Sequence, residues 1–207
     1  MILFEITLSE EDPIYQEMAI ANVNRQYDFL KSIVVAALGI KQPFLSSGII
    51  KSLNFQAIAA LHPYAGEFRP CPVIVGEYTP PDHYRVPTLM DQFINHVNFI
   101  FNEADPILLS AYVLWRLNHI HPFINGDGRT SRAVCYYILC MKSGGWIEGD
   151  TILPQLLDRD HDDYVVAIRA ADASLDSGNL DLQPLHALIS KLMAEQVAIV
   201  TPAANTP

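Results

Sequence analysis

His121-Pro122-Phe123-Ile124-Asn125-Gly126-Asp127-Gly128-Arg129-Thr130-Ser131-Arg132 is the stretch on which the reading of this 207-residue chain turns. Two glycines precede a helix-forming run, so the backbone can adopt positive φ and approach a ligand closely, with successive N–H groups turned inward as an anion-binding nest. A helix over Ser131–Lys142 would add the unpaired N–H groups and positive dipole end of its first turn. Arg129 and Arg132 are three apart and share one side of that turn. Their planar guanidinium groups suit bidentate phosphate recognition. His121, before a rigid Pro-Phe step, stands beside the expected phosphates, where a neutral imidazole can accept a proton from an attacking hydroxyl.

Outward from this loop the chain reads as helical. Residues 106–119 (PILLSAYVLWRLNH) are apolar almost throughout and predict a buried central helix. Upstream, the spacing of Ile14, Met18, Ala21, Tyr27, Leu30, Val34 and Leu38 predicts a helix ending near Gly39 or Pro43. A second helix is expected from Ser47 through His62, with the Ser46-Ser47-Gly48 group as its start signal. Pro87 opens another, ending near Asn102. Downstream, helices are expected over 152–173 and 183–200. Residues 66–75 (GEFRPCPVIV) break the pattern, because Pro70 and Pro72 forbid a helix interior and Val73-Ile74-Val75 is β-branched. An edge hairpin over 68–78 is the expectation there, closed by Pro80-Pro81.

Composition narrows the function classes. Half the residues are hydrophobic, enough for a sizeable core in one domain. The formal net charge of -10 argues against a nucleic-acid surface, although a single nucleotide needs only a few local donors. The longest apolar run, Ile33–Ile40, is far short of the roughly 20 residues that span a bilayer. No basic-then-apolar leader pattern opens the chain, so a membrane partner is not expected and a cytoplasmic protein is. Cys71, Cys135 and Cys140 lack metal-type spacing and suit a reducing compartment.

The loop resembles the signature of the Fic domains, HxFx(D/E)GNGRxxR, at His121, Phe123, Gly126, Gly128, Arg129 and Arg132. Residues 66–90 (GEFRPCPVIVGEYTPPDHYRVPTLM) resemble that family's flap hairpin and the helix after it, and 163–172 (DYVVAIRAAD) resemble a later helix. The resemblance implies an all-α Fic-type bundle with a small β-hairpin flap, divided into an N-terminal helical extension (1–46), a core (47–193) and the end of the last helix with a tail (194–207).

What the resemblance implies for function is an adenylyltransferase, moving AMP from ATP to a Ser, Thr or Tyr hydroxyl of a target protein, with magnesium bridging the phosphates. His121 would be the base, Arg129 would hold the β- and γ-phosphates, Gly126 and Gly128 would line the anion hole, and Arg132 would steady the terminal phosphate. Phe123 would anchor the loop in the core, and Tyr164 would line the base pocket, a position that equally suits a core aromatic. Val73, Ile74 and Val75 would pair with an extended target segment.

Two positions depart from the pattern. Asn125 stands where an acidic magnesium ligand is usual, and Asp127 where Asn is usual. A neutral amide oxygen is a weaker ligand for a hard dication. A carboxylate ~4 Å from a bound anion repels it by roughly 4 kcal/mol at an effective dielectric near 20. Asp127 recruiting the magnesium itself would offset that. The family's inhibitory pattern, (S/T)xxxE(G/N), has no clear copy. Residues 7–12, ending in Glu11-Asp12, come nearest, so inhibition comes from a separate chain or is absent; a homodimer is left open. The rival readings are a non-catalytic nucleotide- or partner-binding module, and a metal-dependent hydrolase using His119, His121 and Asp127 with His161, Asp162 or Asp163.

Overall fold

The computed structural model describes residues 3–40 and 44–198, with the side chains of residues 3 and 4 excepted. The expected helix stop at Pro43 and the tail from 199 onward lie outside the described residues. Among the described residues nine α-helices follow one another, α1 (Leu3–Thr7), α2 (Pro13–Gly39), α3 (Ser47–Ile58), α4 (Val86–Ile100), α5 (Pro106–Ile120), α6 (Asp127–Ser143), α7 (Leu153–Arg159), α8 (His161–Asp176) and α9 (Gln183–Ala198). A 3-10 turn, His83–Arg85, precedes α4. No strand occurs among the described residues, so the all-α expectation holds.

The helix starts are written in short polar residues. Asp12 accepts from the Ile14 N–H at 2.9 Å, Ser46 from Ile49 at 3.2 Å, and Asp105 from Ile107 and Leu108 at 3.0 and 2.9 Å. Each satisfies donors that a helix cannot satisfy itself. Pro13 and Pro106 stand in the first turns, where a missing N–H costs nothing.

α5 and α6 pack against each other at the centre, and α2, α3 and α7 close around α6. Thr130 to Met141 are buried without interruption, so this helix shows no solvent face across three turns. Leu109, Leu114, Leu117 and Ile120 of α5 are essentially water-free, each stabilising the fold by about 2 kcal/mol in transfer free energy.

Four expectations are corrected. The helix expected from Ser131 begins at Asp127, because Gly126 takes φ 81 as its N-cap and releases the chain into the helix at once. The single helix expected over 152–173 is two, broken at Asp160 (φ -93, ψ 42), which ends α7 and begins α8. The hairpin over 68–78 reduces to one antiparallel bridge, Val75 with Tyr78, made by backbone bonds of 2.9 and 3.0 Å. Pro70, Pro72, Pro80 and Pro81 remove the donors a longer ladder would need. α3 also stops earlier than expected, with Ala60 at φ 63 turning the chain.

Candidate active site

The loop between α5 and α6 is held from three directions. Asn54, buried on α3, donates to the Asn125 carbonyl at 2.9 Å and to Thr130 Oγ1 at 3.2 Å, and accepts from the Gly66 N–H at 2.9 Å. Phe123 is fully buried and packs on Phe68, ring centroids 5.7 Å apart. Gly126 cannot be replaced cheaply, because a Cβ there would lie 2.8 Å from Ile58 Cγ2 and 3.1 Å from Asn54 Nδ2. Gly128 is different: it lies inside the first turn of α6 without a positive φ, so the expected pair of left-handed glycines is a single one.

A cavity of about 350 Å³ opens beside the start of α6, lined by Val23, Tyr27, Asn125, Gly126, Gly128, Arg129, Arg132 and Asp158. The two arginines, both glycines and the helix N-terminus thus meet around one hollow. Arg129 Nη1 donates to the Ala57 carbonyl at 3.0 Å and Nη2 to Asn125 Oδ1 at 3.1 Å. Burial lowers its pKa from the usual range, with Tyr15, Glu10 and Asp158 opposing. Arg132 Nη2 donates to Asp158 Oδ1 at 2.6 Å, and its Nε is buried without an acceptor. A guanidinium lining such a hollow is suited to an incoming oxyanion.

His121 occupies the C-cap of α5 in left-handed backbone geometry, φ 49 and ψ 64, its N–H bonded to the Leu117 carbonyl. Its side chain is 16% exposed and lines a second hollow of about 140 Å³ with Val75, Tyr78, Asn118, Tyr164, Val165, Ile168, Arg169 and Asp172. The imidazole is therefore on a rim rather than sealed in the interior. Burial drives its pKa down to about 4, a backbone hydrogen bond to Asn118 opposes, and the Arg69 charge adds to the fall. A neutral ring is the state a proton acceptor needs.

Asp127 is the least expected member. Its carboxyl turns away from the larger cavity, where a phosphate- or metal-binding role would need it. Oδ1 accepts from the Phe123 N–H at 3.0 Å, and Oδ2 lies 3.2 Å from His121 Nε2 without the alignment of a hydrogen bond. Desolvation raises its pKa well above the carboxylate range, opposed by the Phe123 N–H and by Arg69. Close approach alone would suggest an ion pair. With Asp127 sealed and His121 largely removed from water, the uncharged form of each is favoured.

The resident side chains do not fit a protein-held magnesium ion. Asn125 Oδ1 is taken by Arg129, while its Nδ2 donates to Glu10 Oε1 at 2.8 Å. Asp127 is sealed, and no group of three His, Cys, Asp or Glu that could hold a metal exists among the described residues. The hydrolase constellation is not assembled either. His119 Nδ1 lies 2.9 Å from Asp172 Oδ1 and 3.1 Å from the Tyr78 hydroxyl, and His161, Asp162 and Asp163 line a separate surface hollow. The segment nearest the inhibitory pattern places Glu10 on Asn125, while the partner of Arg132 is Asp158.

Sequence reasoning missed Arg69, Asn54 and Asp158. The Fic/DOC family profile matches residues 44–139. "Protein adenylyltransferase Fic" of Drosophila persimilis is 40% identical over 80 residues, 38% of this chain and 16% of that protein. Its Aedes aegypti counterpart is 32% identical over 122 residues, 56% of this chain and 24% of that protein. The matched stretches thus span a quarter or less of those relatives. Among solved structures, Fic-1 of C. elegans superposes with a TM-score of 0.71 at 21% identity, covering 93% of this chain and 53% of that one. A Fic domain containing signaling protein from Bacteroides thetaiotaomicron gives 0.70 at 17% identity, covering 93% and 72%. At such identities the superpositions establish the fold.

Proposed function

We propose, from the match of residues 44–139 to the Fic/DOC family profile, that the chain is a protein adenylyltransferase, taking ATP as substrate and placing AMP on a Ser, Thr or Tyr hydroxyl. The observation that carries the reading is the arrangement around the loop: a neutral imidazole on one hollow and two guanidinium groups with a helix N-terminus on the other. In this reading the β- and γ-phosphates lie beside Arg129, Arg132, Gly126 and Gly128, and the nucleobase enters the apolar hollow of Val75, Tyr164, Val165 and Ile168. The acceptor oxygen forms its bond to the α-phosphorus as the bond from that phosphorus to the bridging oxygen breaks. His121 Nε2 takes the hydroxyl proton, and pyrophosphate departs between the arginines.

The target would dock along Val73, Ile74 and Val75. Ile74 is 75% exposed, which supports an available edge. The bridge at Val75 and Tyr78 leaves that edge short, so side-chain contacts must supply much of the register.

A second reading, nucleotide binding without transfer, is favoured by one observation. Asp127 Oδ2 lies 3.2 Å from Nε2, the atom that transfer would require to take the hydroxyl proton. Incubating the whole chain with ATP, magnesium and candidate acceptor proteins separates the two. An added AMP mass on the chain or an acceptor, lost in His121→Ala, supports transfer. ADP binding with no added mass under any condition supports the second reading.

A further inference from the structure

We propose that Arg69 is a positioning residue, which holds the backbone of His121 in fixed register with both ends of the segment 71–81. The proposal rests on the reading of His121 as the transfer base. Arg69 is 2% exposed and forms no ion pair among the described residues. A buried guanidinium is costly unless its donors are met, and here backbone carbonyls from separate stretches of chain meet them. Nε–H donates to the His121 carbonyl at 2.7 Å, Nη1 to Cys71 at 3.2 Å, and Nη2 to the Pro81 carbonyl. The Arg69 N–H donates to the Pro122 carbonyl at 2.9 Å.

His121 needs such a partner. Its left-handed backbone costs about 1–3 kcal/mol for a residue with a Cβ, and it turns the carbonyl out of α5 towards Arg69. With the N–H tied to Leu117 and the carbonyl tied to Arg69, the backbone that carries the imidazole is held at both ends. The other two carbonyls begin and end the segment that carries Val73, Ile74, Val75 and Tyr78. One planar fork therefore couples the proton acceptor to the docking edge, a task the single ammonium of lysine cannot perform.

Arg69→Lys and Arg69→Gln in the full chain test this. The expected result is a folded chain with a lowered melting temperature, since buried carbonyls lose donors, ADP affinity close to wild type, KM for ATP within threefold, and kcat for AMP transfer lowered about a hundredfold, the scale of a 1 Å misplacement. Arg69→Lys should recover part of kcat. Unchanged kcat in folded variants, or kcat and KM altered together, overturns the proposal. If wild type itself transfers nothing, the functional reading fails and amide exchange decides on Arg69. Faster exchange confined to residues 71–81 and His121 supports the clamp, and unchanged exchange overturns it. Should neither variant fold, the Arg69 Nε–H of wild type is read by NMR: a scalar coupling to the His121 carbonyl carbon supports the proposal, and rapid solvent exchange overturns it.

Discussion

Asp127 Oδ2 lies 3.2 Å from His121 Nε2, with the Asp127 side chain 1% exposed. The two groups have opposite proton preferences, and burial pushes each towards its uncharged form, the imidazole down to about 4 and the carboxyl well above its usual range. The departure from the Fic signature that faces the His121 imidazole is thus also a source of instability at neutral pH.

Asp127→Asn should relieve both effects. A raised folded pKa means that the stability contribution of Asp127 is complete below its unfolded value and is lost as pH rises through the folded one. An amide keeps the acceptor for the Phe123 N–H and offers a donor to Nε2. The expected gain at pH 7.5 is about 1–2 kcal/mol, the scale of a relieved buried polar group, read by urea denaturation. AMP transfer should rise at least tenfold. A less stable variant would contradict the burial argument.

His121 acts in the opposite pH window. Its depressed folded pKa gives stability that is complete above about 6.5 and is lost as pH falls from there to about 4, because the unfolded chain takes up the proton first. By linkage the loss is on the order of 3 kcal/mol. Comparing urea denaturation at pH 7 and pH 4 in wild type and His121→Gln isolates it, and the variant should lose less stability over that interval. Parallel curves would place the imidazole in water.

Much of this was legible in the sequence, and the division follows distance along the chain. Asp105 with Pro106, Ser46 and Gly126 act on the next few residues, so their types alone announce helix starts and the loop. The start of α6 was read four residues late because Gly128 is a poor helix former, yet Asp127 in the first turn suits the dipole and Gly126 absorbs the turn. Arg69 lies 52 residues from the carbonyl it binds, and Asp158 is 26 from Arg132. No local pattern marks such pairs. The flap sequence is β-branched, but its prolines outweigh that preference, and only Val75 and Tyr78 pair.

The two glycines should separate cleanly. Gly126→Ala imposes a Cβ at φ 81 and within 2.8 Å of Ile58, so a loss of about 2 kcal/mol or more is expected, with ADP binding abolished. Gly128→Ala meets only Arg132 Nη1, at 3.3 Å, the end of a flexible side chain. Its stability should stay within about 1 kcal/mol, since alanine also favours the helix, while ADP affinity falls several-fold. Equal effects on stability would contradict the assigned backbone conformations.

Asn125 gives a metal prediction. With its amide oxygen on Arg129 and no carboxylate facing the cavity at that position, ADP affinity in wild type should change less than threefold between magnesium and EDTA. Asn125→Asp supplies a hard oxygen donor, and its ADP affinity should become magnesium-dependent by tenfold or more. Isothermal titration of both proteins under both conditions reads this.

The central claim is transfer of the α-phosphoryl group by His121 once Asp127 no longer crowds it. The direct measurement incubates Asp127→Asn with ATP labelled at either the α- or the γ-phosphorus, followed by denaturing separation. The account predicts covalent protein label from the α-position alone, absent when His121→Ala is added to the same chain. Label from the γ-position, or no covalent label from a protein that demonstrably binds ADP, would contradict it.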